Sequence, residues 1–357
     1  MTKITFVLPT NYNKPMGGFK IVYQYANWLI EQGFKVSICY CYGSNESKSY
    51  AAIKRLVDTR IIKFSRRETK VTWFALNKSI ELVYNCIFSQ EFPDSDIIFA
   101  TSARTAPVVS SLPKEKGRKF YFIQGYESIG FGNKEGFAEE TYNLGMTNIV
   151  ISNELRQKVL SSGVEVPEYL PNFYNHNEFY LENPIEKRKN IVCLLNHVQE
   201  TKRTKLGLEI LREVKKTIPD LEVQLFGAYD PVEKLEDWIH FTKNANTEKL
   251  RKDIYGESKI YLLPSILEGW VLTGMEAMAS GAAVVASRIG GIMDYANQEN
   301  SILVTPDDKE TFITEIINIL QNEEKQLKIA KRGNEDIKQY SIEKSGKQLL
   351  QIINSKV

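Results

Sequence analysis

What most limits the fold of this chain is a rhythm: short apolar runs alternate with amphipathic segments from one end to the other. ITFVL (4–8) reads as a buried strand. After Gly17-Gly18, the residues Phe19, Val22, Tyr23, Ala26, Leu29 and Ile30 recur at helical spacing. Gly33 then stops the helix, and KVSICY opens a second strand. Continuous apolar runs suit strands covered on both faces, and a strand–helix–strand unit joins parallel neighbours. The unit repeats. IIFA (97–100), KFYFI (119–123) and NIVI (148–151) predict further strands, with helices near 74–90, 103–112 and 152–162.

The rhythm breaks at 171–190, a stretch rich in Asn, Pro and charge that reads as a linker. It resumes with IVCLL (191–195), a helix near 204–216, VQLFG (223–227), WIHF (238–241), a helix near 247–256 and IYLLPS (260–265). A helix over 273–280, AVVAS (283–287), a short strand near 302–304 and two helices within 307–339 follow. The expected architecture is α/β, with one Rossmann-like domain over 1–175 and a second over 188–340. An amphipathic C-terminal helix, 341–357, is expected to pack back on the first. The length of 357 residues agrees with two domains of roughly 150 residues each.

Composition removes several function classes. With 43% hydrophobic and 25% charged residues the chain is not disordered, and a net charge of +2 gives no reason to expect nucleic acid. Two local basic groups stand out: Lys63, Arg66, Arg67 and Lys70 beside Trp73 and Phe74, and Lys114, Lys116, Arg118 and Lys119. Each reads either as a solvated face or as a peripheral contact with an anionic membrane surface. Cys39, Cys41, Cys86 and Cys193 show no metal-ligand spacing and read as buried thiols in a reducing compartment. No run approaches the ~18 apolar residues that span a bilayer. The N-terminal apolar run is too short for a signal peptide. The expectation is a cytoplasmic protein, peripheral at most to the inner face of the membrane.

The most informative segment is LLPSILEGWVLTGMEAMASGAAVVAS, 262–287. A strand ends near Pro264-Ser265, a loop carries Glu268 and Gly269, and a helix begins near Thr273. Ligands of open parallel sheets sit beyond the carboxyl ends of strands. A helix that starts there aims N–H groups and a positive dipole end at the site, which suits a diphosphate. Glu276 lies one turn into that helix. From the pattern alone it is either a receptor for a sugar diol or a solvated surface carboxylate.

Glu268 and Glu276, within E-G-W-V-L-T-G-M-E-A-M-A-S-G and followed by Gly-x-x-Val-Val-Ala (281–286) and Gly290-Gly291, resemble the Glu-x7-Glu signature of glycosyltransferase family 4. The resemblance implies the GT-B fold, two Rossmann-like doubly wound parallel-sheet domains facing each other across a cleft. It also implies transfer with retention of anomeric configuration, and no metal or other cofactor. In its terms Glu268 faces the donor sugar and Glu276 holds the ribose. The backbone of Gly269, Trp270, Val271, Leu272 and Thr273 meets sugar hydroxyls and the diphosphate. His197 and Lys202 stand where the family carries Arg and Lys on the diphosphate. His197 is a departure, because neutral imidazole lacks the permanent charge and the fork of guanidinium. Arg203 is the nearby substitute for that charge.

In the first half, Gly17 and Gly18 match a loop that relatives set against donor phosphates or acceptor. Ser102, Gln124, Tyr126 and Glu127 follow strands on the expected acceptor side, and YFIQGYES (121–128) is similar to the version found in polysaccharide-building members. Leu170-Pro171-Asn172 resembles the segment that closes the first domain. Base recognition is expected around 240–250, and Asp294 replaces a glutamate common in the family. The expected partners are a nucleotide-diphospho-sugar and a saccharide or lipid-linked acceptor, in cell-surface polysaccharide synthesis. Three rivals stay open: a sugar phosphorylase, a nucleotide-sugar epimerase, and a degenerate scaffold subunit on the same fold.

Overall fold

A computed structural model describes residues 1–9, 11, 13–42, 70–127 and 136–355. Lys63, Arg66 and Arg67 of the first basic group, and Ser128, lie outside the described residues. The chain divides into two compact units. One is Met1–Asn172 with Ile342–Val357, and the other is Phe173–Ser341.

The first unit is built on strands β1 (Lys3–Leu8), β2 (Lys35–Cys41), β3 (Glu81–Cys86), β4 (Ile97–Ala100), β5 (Arg118–Ile123), β6 (Thr147–Val150) and β7 (Glu168–Tyr169). All pair in parallel, in the order β3-β2-β1-β4-β5-β6-β7. Helices α1 (Gly17–Glu31), α2 (Ala106–Ser111), α3 (Phe137–Tyr142) and α4 (Asn153–Ser161) belong to the same unit. The central strands read as continuous apolar runs because both faces are covered: Ile4, Phe6, Val7, Ile98, Phe99 and Phe120 are buried.

Two expectations fail here. The segment 74–90 is not a helix. Its ELVYNC run forms β3, which pairs with β2 from Ser37↔Glu81 to Cys39↔Val83, and the Ser37 hydroxyl donates to Glu81 at 2.7 Å. Its side chains are only half covered, as befits an edge strand, so neither periodicity nor a solid apolar run announced it. The second basic group is not wholly a solvated face: Lys114 is exposed, but the other three are tied to the protein. Lys116 donates to the Phe92 carbonyl at 2.8 Å and to Asp94 at 2.7 Å. Lys119 donates to the carbonyls of Ser110 and Leu112, and Arg118 to that of Ile353. Trp73 and Phe74 pack their rings on Tyr23, with centroids at 5.5 and 5.4 Å.

The second unit holds β8 (Ile191–Leu195), β9 (Glu222–Gly227), β10 (Ile239–Lys243), β11 (Ile260–Leu263), β12 (Ala283–Ser287) and β13 (Ser301–Val304). These are again all parallel, in the order β10-β9-β8-β11-β12-β13. Helices α5 (Thr204–Thr217), α6 (Leu272–Ala279), α7 (Lys309–Gln321) and α8 (Glu323–Ile337) accompany them. The helix expected near 247–256 is present as an α-helical turn, Thr247–Lys249, that runs on into a π-helical stretch, Leu250–Tyr255. The core gathers Val192, Leu194, Leu208, Leu211, Leu225, Leu262, Val285, Phe312 and Ile316. Burial of each such side chain contributes about 1.5–3 kcal/mol.

The stretch read as a linker is packed from Phe173 onward, with Phe179 and Ile185 buried in the second unit. Arg188, 6% exposed, donates to the carbonyls of Tyr255, Ser258, Asn183 and Ser280, at 2.6–3.2 Å. Burial pulls its guanidinium down to about 10. Through Ser280 it ties the end of α6 to the start of the unit.

The last helix, α9 (Ile342–Ser355), belongs to the first unit. Gly346 lets it lie on Trp28, since a Cβ there would come within 2.7 Å of the indole. Ser345 and Gln348 donate to the carbonyls of Pro171 and Tyr169 at 2.9 and 2.7 Å. Among the described residues no helix is long and apolar enough to cross a membrane. All four cysteines are buried and unbridged.

Candidate functional site

The strand order of the second sheet reverses between β8 and β11, which pair from Ile260↔Val192 to Leu262↔Leu194. Outside the carboxyl ends of such neighbours the connecting loops diverge and leave a crevice. The loop after β8 carries His197, Lys202 and Arg203, and the loop after β11 carries Glu268 and Gly269. The Ile266 N–H donates to the Thr201 carbonyl at 2.8 Å and binds the two loops together.

There the structure brings Lys202 and Glu268 into one ion pair. Lys202 Nζ donates to both carboxylate oxygens at 2.7 Å, and the side chains are 21% and 10% exposed. His197 shares their field. Burial, then the Lys202 ammonium, hold its imidazole below the ordinary 6.5, with Glu268 opposing. Its Nδ1 accepts from the Gln199 N–H at 3.0 Å, so in the neutral ring the proton sits on Nε2, ready to donate. Its loop is fixed by Asn196, whose amide donates to the carbonyls of Tyr229 and Asp230, and by Thr204, whose hydroxyl accepts from the His197 N–H. Gly227 is required beside it, since a Cβ would stand 2.2 Å from the Asn196 oxygen.

Arg203 turns elsewhere. It sits in the left-handed region at φ 53° and pairs with Asp307 at 3.0 Å. Both side chains of that pair are partly exposed, at 37% and 53%.

Glu276 is buried at 7% exposure and is not a solvated surface residue. Burial first, and then the charges of both Glu268 and Glu276, push the hydroxyls of Tyr261 and Tyr295 well above their ordinary value. Both carboxylates therefore act electrostatically on the same two tyrosines. Helix α6 begins between them. Its cap, Val271, takes φ 68° and ψ 67°, an outlier for a β-branched residue. Tyr261 donates to Thr273 Oγ1 at 2.9 Å and Trp270 Nε1 to the Met275 sulfur at 2.9 Å, while Gly269, Leu272 and Thr273 stay half-exposed. The first N–H groups of any helix lack intrahelical partners, so this end suits an anion. Gly290 and Gly291 make room for the loop: Cβ atoms there would lie 2.3 Å from the Glu268 carbonyl oxygen and 2.5 Å from that of Gly269.

In the first unit the order reverses between β1 and β4. Gly17 is exposed at the start of α1, and Gly18 faces the Gln124 amide, which a Cβ would meet at 3.4 Å. Gln124 Nε2 donates to the Thr101 carbonyl at 3.4 Å, and its Oε1 is buried without a hydrogen-bond partner. Burial pushes the Glu127 carboxyl up to about 7, against the pull of the Ala103 N–H, 3.0 Å away, and of Arg104. These three share the loops beyond β1, β4 and β5. The Tyr126 hydroxyl donates to Glu139, and Lys158 lies 4.4 Å over its ring. Ser102 is buried in the turn that opens α2, where its Oγ accepts from the Thr105 N–H and its own N–H donates to Thr105 Oγ1. His176 stacks on Tyr174 and meets the Tyr340 carbonyl at 2.9 Å. Sequence reasoning did not find Tyr261, Tyr295 or Arg188, for which no local pattern exists. Among the described residues no group of three or more His, Cys, Asp or Glu is placed to hold a metal ion.

Residues 177–336 match the family described as glycosyl transferases group 1, so the match falls within the second unit. The sulfoquinovosyl transferase SQD2 of Arabidopsis thaliana is 26% identical over 197 residues, 53% of this chain and 38% of that protein. The D-inositol 3-phosphate glycosyltransferase of Corynebacterium urealyticum is 22% identical over 225 residues, 57% of this chain and 52% of that one. The chain thus spans about half or less of the length of these curated relatives. Among solved structures, HepE of Anabaena in complex with UDP superposes with a TM-score of 0.76 at 15% identity, covering 99% of this chain and 100% of that one. Sucrose-phosphate synthase of Thermosynechococcus elongatus gives 0.75 at 16% identity, covering 99% of each. The fold is therefore α/β with two Rossmann-like parallel-sheet units, and its structural neighbours are of the GT-B type.

Proposed function

We propose that this chain is a glycosyltransferase that moves a sugar from a nucleotide-diphospho-sugar to a saccharide or lipid-linked acceptor. The observation that carries the reading is the Lys202–Glu268 pair at the reversal point of the second sheet, beside the amino end of α6. A cation and a helix terminus there are suited to the charge that gathers on a departing diphosphate. The Nε2–H of His197 adds a neutral donor. Glu268, freed from Lys202, is an acceptor for donor-sugar hydroxyls, and buried Glu276 for the ribose diol. Protein groups supply this stabilisation themselves, which makes metal independence part of the proposal. Retention of configuration, a role in cell-surface polysaccharide synthesis, a cytoplasmic site and peripheral membrane contact rest on the family resemblance. Gln124 and Glu127 are the proposed acceptor-side groups. Solved neighbours carry UDP or UDP-glucose, so a uridine donor is the first to test.

Labelled UDP-, GDP- and dTDP-sugars are offered with saccharide and lipid-linked acceptors, and the product anomer is read by NMR. Lys202→Met and Glu268→Gln are each expected to lose about 100-fold or more of transfer while still unfolding cooperatively, at a melting temperature lowered by loss of the pair. Full activity in both variants sinks the proposal. Neutral His197 favours one second reading, a donor-binding but inactive partner subunit. That reading is identified by nucleoside diphosphate binding without transfer. Phosphate-dependent cleavage identifies a phosphorylase, and donor isomerisation an epimerase.

A further inference from the structure

The loop that carries Glu268 into α6 contains a conformation that its own sequence disfavours. Val271 is β-branched, and its left-handed φ of 68° brings a steric cost that must be offset by the surroundings. It is also the cap of α6 and has no side-chain cap bond; from within the helix its carbonyl accepts the Gly274 N–H at 3.2 Å.

A second and shorter bond to that carbonyl comes from 24 residues further along the chain. Tyr295 Oη donates to the Val271 carbonyl at 2.8 Å, fully inside the protein. The hydroxyl fits only because residue 274 is glycine, since a Cβ there would stand 2.3 Å from it. The ring itself is wedged. Its centroid lies 5.6 Å from that of Trp270 and 6.4 Å from that of Tyr340, and Trp270 and Tyr340 are 6.0 Å apart. Tyr340 in turn donates to the carbonyl of Asp294, the neighbour of Tyr295, at 2.8 Å. The approach of the 290–294 turn to the loop depends on Gly290 and Gly291, as described above. Gly290 and Gly291 thus admit the turn against the Glu268 and Gly269 carbonyls, and Gly274 admits the tyrosine hydroxyl that reaches the carbonyl of Val271.

We propose that Tyr295 is a positioning residue for the donor site: its hydroxyl holds Val271 left-handed, and that turn aims the backbone N–H groups of residues 269–273 at the donor's diphosphate. Tyr295 touches no reacting atom. The inference rests on the glycosyltransferase reading for the identity of the ligand, but not for the mechanical link between Tyr295 and Val271.

The test is a double-mutant cycle with two readouts. Wild type, Tyr295→Phe, Val271→Gly and the double variant are compared by calorimetric titration with UDP, GDP and dTDP, and by thermal unfolding without ligand. Loss of one anchoring hydrogen bond predicts about ten-fold weaker binding of the diphosphate in Tyr295→Phe. Glycine adopts the left-handed region freely, so the effect shrinks to about two-fold in the Val271→Gly background. The fall in melting temperature on Tyr295→Phe is likewise larger with valine at 271 than with glycine. Gly274→Ala, which crowds the hydroxyl, is expected to weaken binding like Tyr295→Phe. Unchanged binding in Tyr295→Phe, or fully additive effects in the cycle, overturns the inference while the functional reading stands. If wild type binds no nucleoside diphosphate, the functional reading fails, and coupling in the unfolding cycle alone decides whether Tyr295 holds Val271.

Discussion

Exchange of Glu268 for glutamine keeps the shape of the side chain and removes the charge that Lys202 faces. In the wild type, the Lys202 ammonium is held by two carboxylate oxygens at 2.7 Å, with only 21% and 10% of the two side chains exposed. A diphosphate that arrives must draw Lys202 away from that partner. A hydrogen bond to a charged group contributes about 1.5–3 kcal/mol, and the amide oxygen of glutamine keeps a share of it. The released difference is about 1–2 kcal/mol, or roughly 5- to 30-fold in affinity. Glu268→Gln is therefore expected to bind a nucleoside diphosphate more tightly than wild type while it transfers sugar at least ~100-fold more slowly. The assay is calorimetric titration of UDP, GDP and dTDP into both proteins at fixed ionic strength, paired with turnover of the matching sugar donor. UDP lacks the sugar, so lost contacts to sugar hydroxyls do not confuse the comparison. Equal or weaker diphosphate binding by the variant would refute the idea that Glu268 competes with the ligand for Lys202.

Further outcomes follow from other parts of the molecule. Arg188→Met leaves the carbonyls of Tyr255, Ser258, Asn183 and Ser280 without their donor, and is expected to cost about 3 kcal/mol or more in a denaturant titration. Gly291→Ala places a methyl 2.5 Å from the Gly269 oxygen, so diphosphate affinity is expected to drop about ten-fold or more, and titration calorimetry reads it. Glu127 has a folded-state value raised to about 7 from 4.5, so the folded protein holds a proton that the unfolded chain releases. Its contribution is constant below about pH 4.5 and turns unfavourable as pH rises to about 7, by on the order of 1–3 kcal/mol. Glu127→Gln should flatten that part of the stability–pH profile, and an unchanged slope counts against the burial argument.

The second sheet was legible because strands buried on both faces need apolar side chains at every position. IVCLL, IYLL and AVVAS therefore announced β8, β11 and β12. The loop after β11 was legible for a different reason: its glutamates and glycines stand at fixed spacing within one short stretch. Where burial is one-sided the reading failed. The run from Leu76 to Cys86 has apolar residues at spacings that fit a helix nearly as well as a strand, and pairing with β2 decided the outcome. The lysines of 114–119 looked like a surface patch because composition does not tell which carbonyls a cation will reach. Arg203 stood beside Lys202 in the chain, but its left-handed backbone turned it to Asp307. Tyr295 was invisible for the same reason: its partner is set by tertiary packing, and neither spacing nor residue type marks it.

The assignment of α9 to the first unit bears on how the protein is made. Trp28 on α1 finds cover, through Gly346, in a helix that leaves the ribosome more than 300 residues later. The unit that is translated first therefore cannot finish first. The stretch Phe173–Ser341 has all its strands in hand while the earlier one still waits with an apolar flank bare. Nascent chains halted before residue 342 should recruit chaperones at the amino-terminal unit, and a nonsense change in the last few turns should do more harm there than in the stretch Phe173–Ser341.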